Sequence, residues 1–468
     1  MDGASVAGQT FYINLVSVLP PTFKGYQNGL RNDLATAFND IKPGFLRFPG
    51  GNNIEGYSPA QRWKWWETIG PLQDRKGRVG DWSYYNTNGL GLLEFLEWTE
   101  AMNMERVLAV YSGFSLDVWG QNGVSFPPDQ MSQIVQEALD ELEYCMGDVS
   151  TKWGAQRAAD GHPEPFQINY VELGNEDWFS STYPYRFEAM YNGLKAVYPN
   201  ITYVSTAFDE NANYNITIPS GNMWDWHVYQ EPSWFVENFN LWDNWQEATN
   251  NTGVTVLLGE YSVIQIDTPS GVVNYSFPED IHITYPRLLC ALGEGVYQLS
   301  AERNPNTVKM SSYAPSLQNR NFVNWTPDLI SFDAQYNNTV LSASYWQQWL
   351  FSNFRGTQTL PTTGEINPLF WVSTIDEQKN VIYVKVINIL NDTVPLTVDI
   401  TQSFTSVNGT ILTAADLNSY NYINNMTEVV PVPLVLNSTT PLEGCNSSSS
   451  SWTWNVPRWS STVLQFNL

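Results

Sequence analysis

Residues 168–206, INYVELGNEDWFSSTYPYRFEAMYNGLKAVYPNITYVST, hold the pattern on which the fold turns. A short run rich in apolar and β-branched residues, Ile168 to Leu173, breaks at Gly174-Asn175-Glu176-Asp177. An amphipathic stretch follows from Arg186 to Val197, and a second short run occupies Thr202 to Thr206. Strand, polar turn, helix and strand in that order make a βαβ unit, whose two strands lie parallel. The alternation continues in both directions, from about residue 30 to 350. Further strands are expected at Gly44 to Phe48, Arg106 to Tyr111, Met223 to Val228, Val254 to Leu258 and Val308 to Tyr313. Helices are expected at Leu90 to Met104, Met131 to Cys145 and Ile283 to Leu299.

Repeated βα units of this kind imply an α/β fold, a (β/α)8 TIM-type barrel, with functional groups where each strand runs into polar or glycine-rich residues. Seven strands are counted where a closed barrel needs eight. Gln9 to Val18 could supply the eighth, but it runs into Leu19-Pro20-Pro21 and reads equally well as an edge strand of something else. Beyond Arg355 a Gly/Thr/Pro-rich stretch, Gly356 to Pro368, gives way to period-two alternation at Phe370 to Thr374, Val381 to Ile389, Val394 to Ile400 and Ser461 to Phe466. A C-terminal β-sandwich is expected there, with Ser447 to Ser451 as a surface loop.

Composition narrows the function. With 43% hydrophobic and only 15% charged residues the chain has ample material for a core. Its 47 Asp+Glu against 22 Lys+Arg leave a formal charge of −25, a field that repels phosphate backbones and anionic membranes, so neither nucleic acid nor membrane is expected as a partner. Met1-Asp2-Gly3-Ala4 has no basic start and apolar core of a signal peptide, whereas eleven Asn-x-Ser/Thr sequons point to a secreted, extracellular glycoprotein. Cys145, Cys290 and Cys445 are too scattered for a disulfide framework and are expected as buried or idle thiols. The 20 Trp, 25 Tyr and 22 Phe often stand beside Asn, Asp or Gly, a mixture that suits sugars, whose C–H faces stack while their hydroxyls hydrogen-bond. Core filler accounts for part of that content.

Two strand ends carry a carboxylate preceded by Asn or Gly: Gly174-Asn175-Glu176 and Leu258-Gly259-Glu260. Taken singly, each reads as a solvated loop acid or a helix N-terminal carboxylate. Together they match glycosidic bond hydrolysis, which needs one protonated and one ionised carboxyl flanking the anomeric carbon. A retaining pair stands about 5 to 5.5 Å apart, an inverting pair about 6.5 to 9.5 Å. Arg47, at another strand end, would keep a neighbouring carboxylate ionised; its bland alternative is a structural ion pair. In Trp224-Asp225-Trp226-His227-Val228-Tyr229 the alternation puts His227 and Tyr229 on one face, to hydrogen-bond the carboxyls or simply to sit satisfied in a core. Three histidines in all (His162, His227, His282) argue against a His-based metal site, and no Walker A or Gly-x-Gly-x-x-Gly sequence supports a nucleotide, so neither metal nor cofactor is expected.

Six stretches together, Phe45 to Gly56 (FLRFPGGNNIEG), Arg62 to Pro71 (RWKWWETIGP), Val171 to Trp178 (VELGNEDW), Asp225 to Phe235 (DWHVYQEPSWF), Leu258 to Val263 (LGEYSV) and Met310 to Asp328 (MSSYAPSLQNRNFVNWTPD), resemble the fungal α-L-arabinofuranosidases of glycoside hydrolase family 51. The likeness runs from about Leu15 to the chain end and is denser in the barrel than in the sandwich. It implies a retaining, exo-acting hydrolase that removes α-L-arabinofuranosyl groups from arabinoxylan or arabinan, with Glu176 as acid/base and Glu260 as nucleophile. By the same resemblance Arg47, Asn52, Asn175, His227 and Tyr229 surround the sugar, Trp65 or Trp66 walls the pocket, and Asn319 is a further member. In the family the first barrel strand and an inserted β-sandwich module precede a Leu-Pro-Pro-Thr-Phe-Lys-Gly-like segment, which here begins at Leu19. On that reading residues 1–25 are a remnant ending the module, 26–355 a barrel without its first strand, and 356–468 the sandwich. An endo-acting β-glucanase or xylanase on the same scaffold, and a glycan-binding paralogue without catalysis, are the competing readings.

Overall fold

The structure, a computed structural model, describes the 468-residue chain apart from residues 1–3, 6, 11–19, 117–122, 208–215, 267, 269–270, 272, 274, 276–281, 435 and 437–449. Seven strands build its central sheet: β1 (Phe45–Phe48), β2 (Glu105–Val110), β3 (Tyr170–Leu173), β4 (Thr202–Ser205), β5 (Met223–Gln230), β6 (Thr255–Val263) and β7 (Val308–Tyr313). They lie side by side in sequence order, every neighbouring pair parallel. That is the barrel sheet the βα alternation implies, and each expected strand is present. Among the described residues no strand pairs with the outer edges of β1 and β7. Of the candidate eighth strand, Gln9 and Thr10 are outside any strand and the rest lies outside the described residues.

The connecting helices include α1 (Asn32–Ile41), α2 (Leu92–Met102), α3 (Met131–Met146), α4 (Tyr183–Val197), α5 (Leu288–Arg303) and α6 (Ala343–Asn353). Helix α3 shows why they form: Met131, Ile134, Ala138, Leu142 and Cys145 recur every three or four residues and are all buried. Ends are set locally. Ser342 caps α6 by accepting from the Tyr345 amide at 3.0 Å, and Asn103 stops α2 with a left-handed φ of 54°. Helix α5 begins at Leu288, five residues after the expected Ile283, because Ile283 instead joins the β5–β6 side of the core.

Alternation along the strands stacks two layers inside the sheet. The lower is apolar: Val107, Val204, Met223 and Leu257, with Phe45, Tyr170 and Met310 packed against them. Two residues further along β1, β3 and β5 stand Arg47, Glu172 and Asp225, so a charged layer lies directly on the apolar one.

C-terminal to the barrel, β8 (Leu369–Asp376), β9 (Val381–Asn388), β11 (Ser406–Thr413) and β13 (Ser460–Asn467) form an antiparallel sheet with two short edge strands, in the order Gln358–Thr359, β8, β9, β13, β11, Val432–Leu434. A two-stranded ribbon, β10 (Val394–Ile400) with β12 (Ser450–Val456), covers one face through Leu396, Val398, Trp452 and Trp454. The other face packs on α5 and α6. Lys385 of β9 pins the two parts together, its ammonium 2.7 Å from Glu302 at the end of α5. Strands β11 and β12 were not expected. Residues 450–451, read as part of a serine loop, begin β12, because their backbone pairs with Ile400 and Asp399 whatever their side chains. Cys145 and Cys290 are buried free thiols, while Cys445 lies outside the described residues. No described helix is long and apolar enough to cross a membrane.

Candidate active site

Arg47 is the hub of the charged layer. Its Nε and Nη2 donate to Glu172 Oε2 and Oε1, both at 2.7 Å, Nη2 also to Asn175 Oδ1 at 2.8 Å, and Nη1 to Glu260 Oε1 at 2.9 Å. Asp225 Oδ2 stands 3.3 Å away. A buried guanidinium is tolerable only when carboxylates surround it. Burial here opposes the charge, yet Glu172, Asp225 and Glu260 outweigh it and hold Arg47 well above its ordinary value. Glu172 moves the same way for the opposite reason: burial pushes its carboxyl far up, Arg47 resists, and Asp225 adds to the push. Asp225 is buried too, but His227 and Arg47 prevail and keep it below the usual carboxylate range.

Glu260 is held from two sides. It does not follow the strand, as the sequence suggested, but sits within β6, which continues to Val263. Between Leu258, opposite Trp226, and Glu260, opposite His227, the register slips by one residue, and Gly259 is the extra one. A Cβ on Gly259 would stand 1.9 Å from Asp225 Oδ1, so only glycine fits the bulge. The slip turns Glu260 inward to Arg47 and to the Tyr229 hydroxyl, which donates to Oε2 at 2.6 Å. Burial first, then the Glu260 charge, raise the Tyr229 phenol well above its ordinary range, so it remains a donor.

Glu176 reaches the same place from a loop. It has a left-handed φ of 45°, two residues after Gly174 at φ 100°. The turn is braced by Asp177, which accepts from the Asn175 amide (3.2 Å) and Thr206 Oγ1 (2.7 Å) and pairs with Arg186 at 2.7 Å. The side chain of Glu176 meets His227, whose Nδ1 stands 2.9 Å from Oε1. His227 Nε2 lies 2.6 Å from Asp225 Oδ2, and Nδ1 is 3.5 Å from Glu260 Oε2. Burial works against a charged imidazole, but Asp225 and Glu260 dominate and hold His227 well above its ordinary value. The protonated ring therefore donates to Asp225 on one side and toward the two glutamates on the other.

The direct network thus joins Arg47, Asn175, Glu176, His227, Tyr229 and Glu260. Asn52 joins through Glu55, whose Oε2 accepts from Asn52 Nδ2 (2.9 Å) and Asn175 Nδ2 (3.3 Å). Trp65 and Trp66 are placed elsewhere: Trp65 is 3% exposed, packed on Tyr144 and Trp153 with its indole N–H on Glu137 O, and Trp66 lies against it. Asn319 ends the short strand Leu317–Asn319, exposed, with its side chain on Asn321. Missing from the sequence reading were Glu55, Glu172 and Asp225, together with two rings beside the network, Trp178 on His227 (5.5 Å) and Trp325 on Tyr229 (5.1 Å). The signal for Asp225 and Glu172 was available: each lies on the inward-facing alternation of its strand, in the layer that contains Arg47.

Donor atoms of Glu176, His227 and Glu260 all lie within 4.8 Å of one another. A metal ion there would have to displace the proton on His227 and compete with the Arg47 guanidinium for Glu260, which makes the donor set a poor cation site. For sugar chemistry the arrangement is apt: two carboxyls, one fixed by cationic and hydroxyl donors, the other on a single imidazole.

Comparison with known proteins agrees. The α-L-arabinofuranosidase 1 domain model matches residues 37–247, and the α-L-arabinofuranosidase C-terminal domain model residues 259–460. α-L-Arabinofuranosidase A of Aspergillus niger is 36% identical over 472 residues, covering 100% of this chain and 69% of its own length. A probable α-L-arabinofuranosidase A of Aspergillus flavus is equally similar, at 36% over 469 residues, 99% of this chain and 69% of its own. An arabinose-bound α-L-arabinofuranosidase of glycoside hydrolase family 51 superposes with a TM-score of 0.86 at 35% identity, over 96% of this chain and 68% of that one. The Thermotoga maritima α-L-arabinofuranosidase, at 18% identity and TM-score 0.70 over 96% and 92%, shares the fold. By both family models and by these relatives, the chain belongs to the α-L-arabinofuranosidases of glycoside hydrolase family 51.

Proposed function

We propose that the protein releases L-arabinose from the non-reducing ends of α-L-arabinofuranosyl side groups on arabinoxylan or arabinan, with retention of configuration. The observation that carries the reading is the close approach of Glu176 and Glu260, with carboxylate oxygens within 4.8 Å and His227 between them. Retaining pairs stand about 5 to 5.5 Å apart, because the second carboxylate must itself reach the anomeric carbon and no water is needed between them. Glu260 attacks that carbon as the glycosidic bond breaks, and the leaving oxygen takes the electron pair and a proton from Glu176. Water then gives a proton to Glu176 and attacks the same carbon, which releases arabinose and restores the Glu260 carboxylate. Arg47 and Tyr229 align Glu260 for the first step. When the ester forms, Arg47 keeps its contacts with Glu172 and Asp225. Asn52 is the amide proposed to meet the sugar, while Asn175 and His227 hold the groups around it. A secreted life fits the net charge of −25 and the eleven sequons.

Hydrolysis of an aryl α-L-arabinofuranoside tests the reading. Glu260→Ala is expected to lose turnover of every substrate, whereas Glu176→Ala keeps turnover of substrates with a good leaving group and loses it on arabinoxylan. Equal loss on all substrates would remove the role assignment, and oligosaccharide products instead of free pentose would favour an endo-acting enzyme.

A further inference from the structure

Glu55 is an acid with no part in the chemistry above. It is 2% exposed, its Oε1 has no hydrogen-bond partner among the described residues, and its Oε2 is shared by two amides, those of Asn52 and Asn175. Both asparagines belong to the site, one on the turn after β1 and one beside Glu176.

We propose that Glu55 is a positioning residue for the hydrolysis, one that fixes the amide orientation of Asn52 and Asn175 and so decides which atom each presents; this rests on the function proposed above. The geometry makes the orientation unambiguous. Because Asn175 Nδ2 points at Glu55, its Oδ1 points at Arg47 Nη2, and the asparagine becomes a strut between β1 and the Glu176 turn. Because Asn52 Nδ2 points at the same oxygen, its Oδ1, which has no hydrogen bond among the described residues, is left to accept from a sugar hydroxyl. Without Glu55 the Asn52 amide could rotate by half a turn and offer a donor in place of an acceptor, and Asn175 would keep its Arg47 bond but lose the anchor on its other end.

The carboxyl does this as a neutral group. Burial, then the charge of Asp177 and of Glu176, push Glu55 well above the carboxylate range, against the two amide bonds. A neutral acid adds no negative charge beside Glu176, so the amide of glutamine should replace it.

The test uses the whole chain and an aryl α-L-arabinofuranoside. Glu55→Ala, and Glu55→Met of similar length but unable to accept, should lower kcat/KM by about ten- to a hundredfold, the scale on which lost orientation costs rate. Glu55→Gln should return to within about threefold of wild type with an unmoved pH profile. In a double-mutant cycle, Asn52→Ala with Glu55→Met should be no worse than the more damaging single change, since Glu55 acts through the asparagine. Full activity of Glu55→Met, or a Glu55→Gln profile whose acidic limb moves, would overturn the proposal; the rescue also separates positioning from a mere effect on folding. Wild-type protein that neither hydrolyses the aryl substrate nor shows tryptophan fluorescence quenching by L-arabinose would defeat the proposed function itself.

Discussion

Glu176 and Glu260 arrive within a few ångströms of each other by opposite means. Glu260 stands inside β6, at a bulge, clamped by Arg47 and the Tyr229 hydroxyl. Glu176 stands beyond β3 on a left-handed residue of a braced loop, against His227. A nucleophile has to point one lone pair along one line, and a strand with two charge-assisted donors gives it that aim. An acid/base has to exchange its proton with a leaving oxygen and then with water, and a full set of donors would bind its ionised form too tightly to let it do so. On the roles proposed for the two glutamates, the difference teaches that rigidity is allotted by chemistry and not by burial.

Two glycine substitutions should split the two halves most sharply. Gly259→Ala puts a methyl into Asp225, the shared support of His227 and Arg47, and shifts Glu260 as well. A displacement near 1 Å costs about a hundredfold, so a loss of at least that size is expected on aryl and polymeric substrates alike. Gly174→Ala collides with Asp177 Oδ2, where a Cβ would lie 2.0 Å away at a φ of 100°. Its damage should fall on the Glu176 turn, large with arabinoxylan and much smaller with an aryl leaving group that needs no proton. If both variants lose the two substrates in equal measure, the halves are not separable as argued.

Next in size is Tyr229→Phe, which removes one donor from Glu260 and leaves Arg47 in place. Hydrogen bonds to charged groups contribute about 1.5 to 3 kcal/mol, which corresponds to about ten- to a hundredfold in kcat, with little change in KM. Steady-state kinetics with an aryl arabinofuranoside would measure it. An equal loss confined to KM would mean that the hydroxyl serves the sugar rather than the carboxylate.

The strands that carry this contrast were legible to different depths. β7 was readable to the residue and β3 nearly so, because apolar and β-branched runs bounded by polar turns have few other uses. The far end of β6 was not, since Gly259-Glu260-Tyr261 looks like the start of a loop; it is the pairing with β5 that keeps it extended. In the sandwich, β11 and β12 escaped because Asn408-Gly409 and Ser450-Ser451 lack strand propensity, and their neighbours supply what composition does not. Glu176 and Glu260 could be found from their strand ends, whereas Trp325 meets the network only through chain folded back from elsewhere, and Glu55, three residues from Asn52, stands at no strand end. Trp65 illustrates the reverse error of expectation: an aromatic in a conspicuous Trp-Trp pair packs behind the sheet with Trp153, because a large flat ring serves a core as readily as a sugar.

The smallest effect concerns stability. His227 gains its partners on folding, and its pKa rises above the ordinary 6.5. Its contribution is therefore complete below about pH 6.5 and is lost as pH climbs through the higher folded value. Asp225, depressed below its ordinary 3.8, runs the other way: its contribution is present above that value and drains as pH falls through the folded one. The ion pair thus supports the fold across the mildly acidic and neutral range and fades on the alkaline side. Glu141 and Glu294, buried acids pushed up to about 8, also lower stability as pH rises from about 4.5 to 8, so the wild-type melting temperature alone does not isolate the pair. The difference between wild type and His227→Asn does, since both proteins share those acids. That difference should amount to a few degrees near pH 6 and shrink steadily at alkaline pH. A gap that stays constant with pH would mean that His227 stabilises by packing against Trp178, and that the charge joining the two carboxylates is not what holds them together.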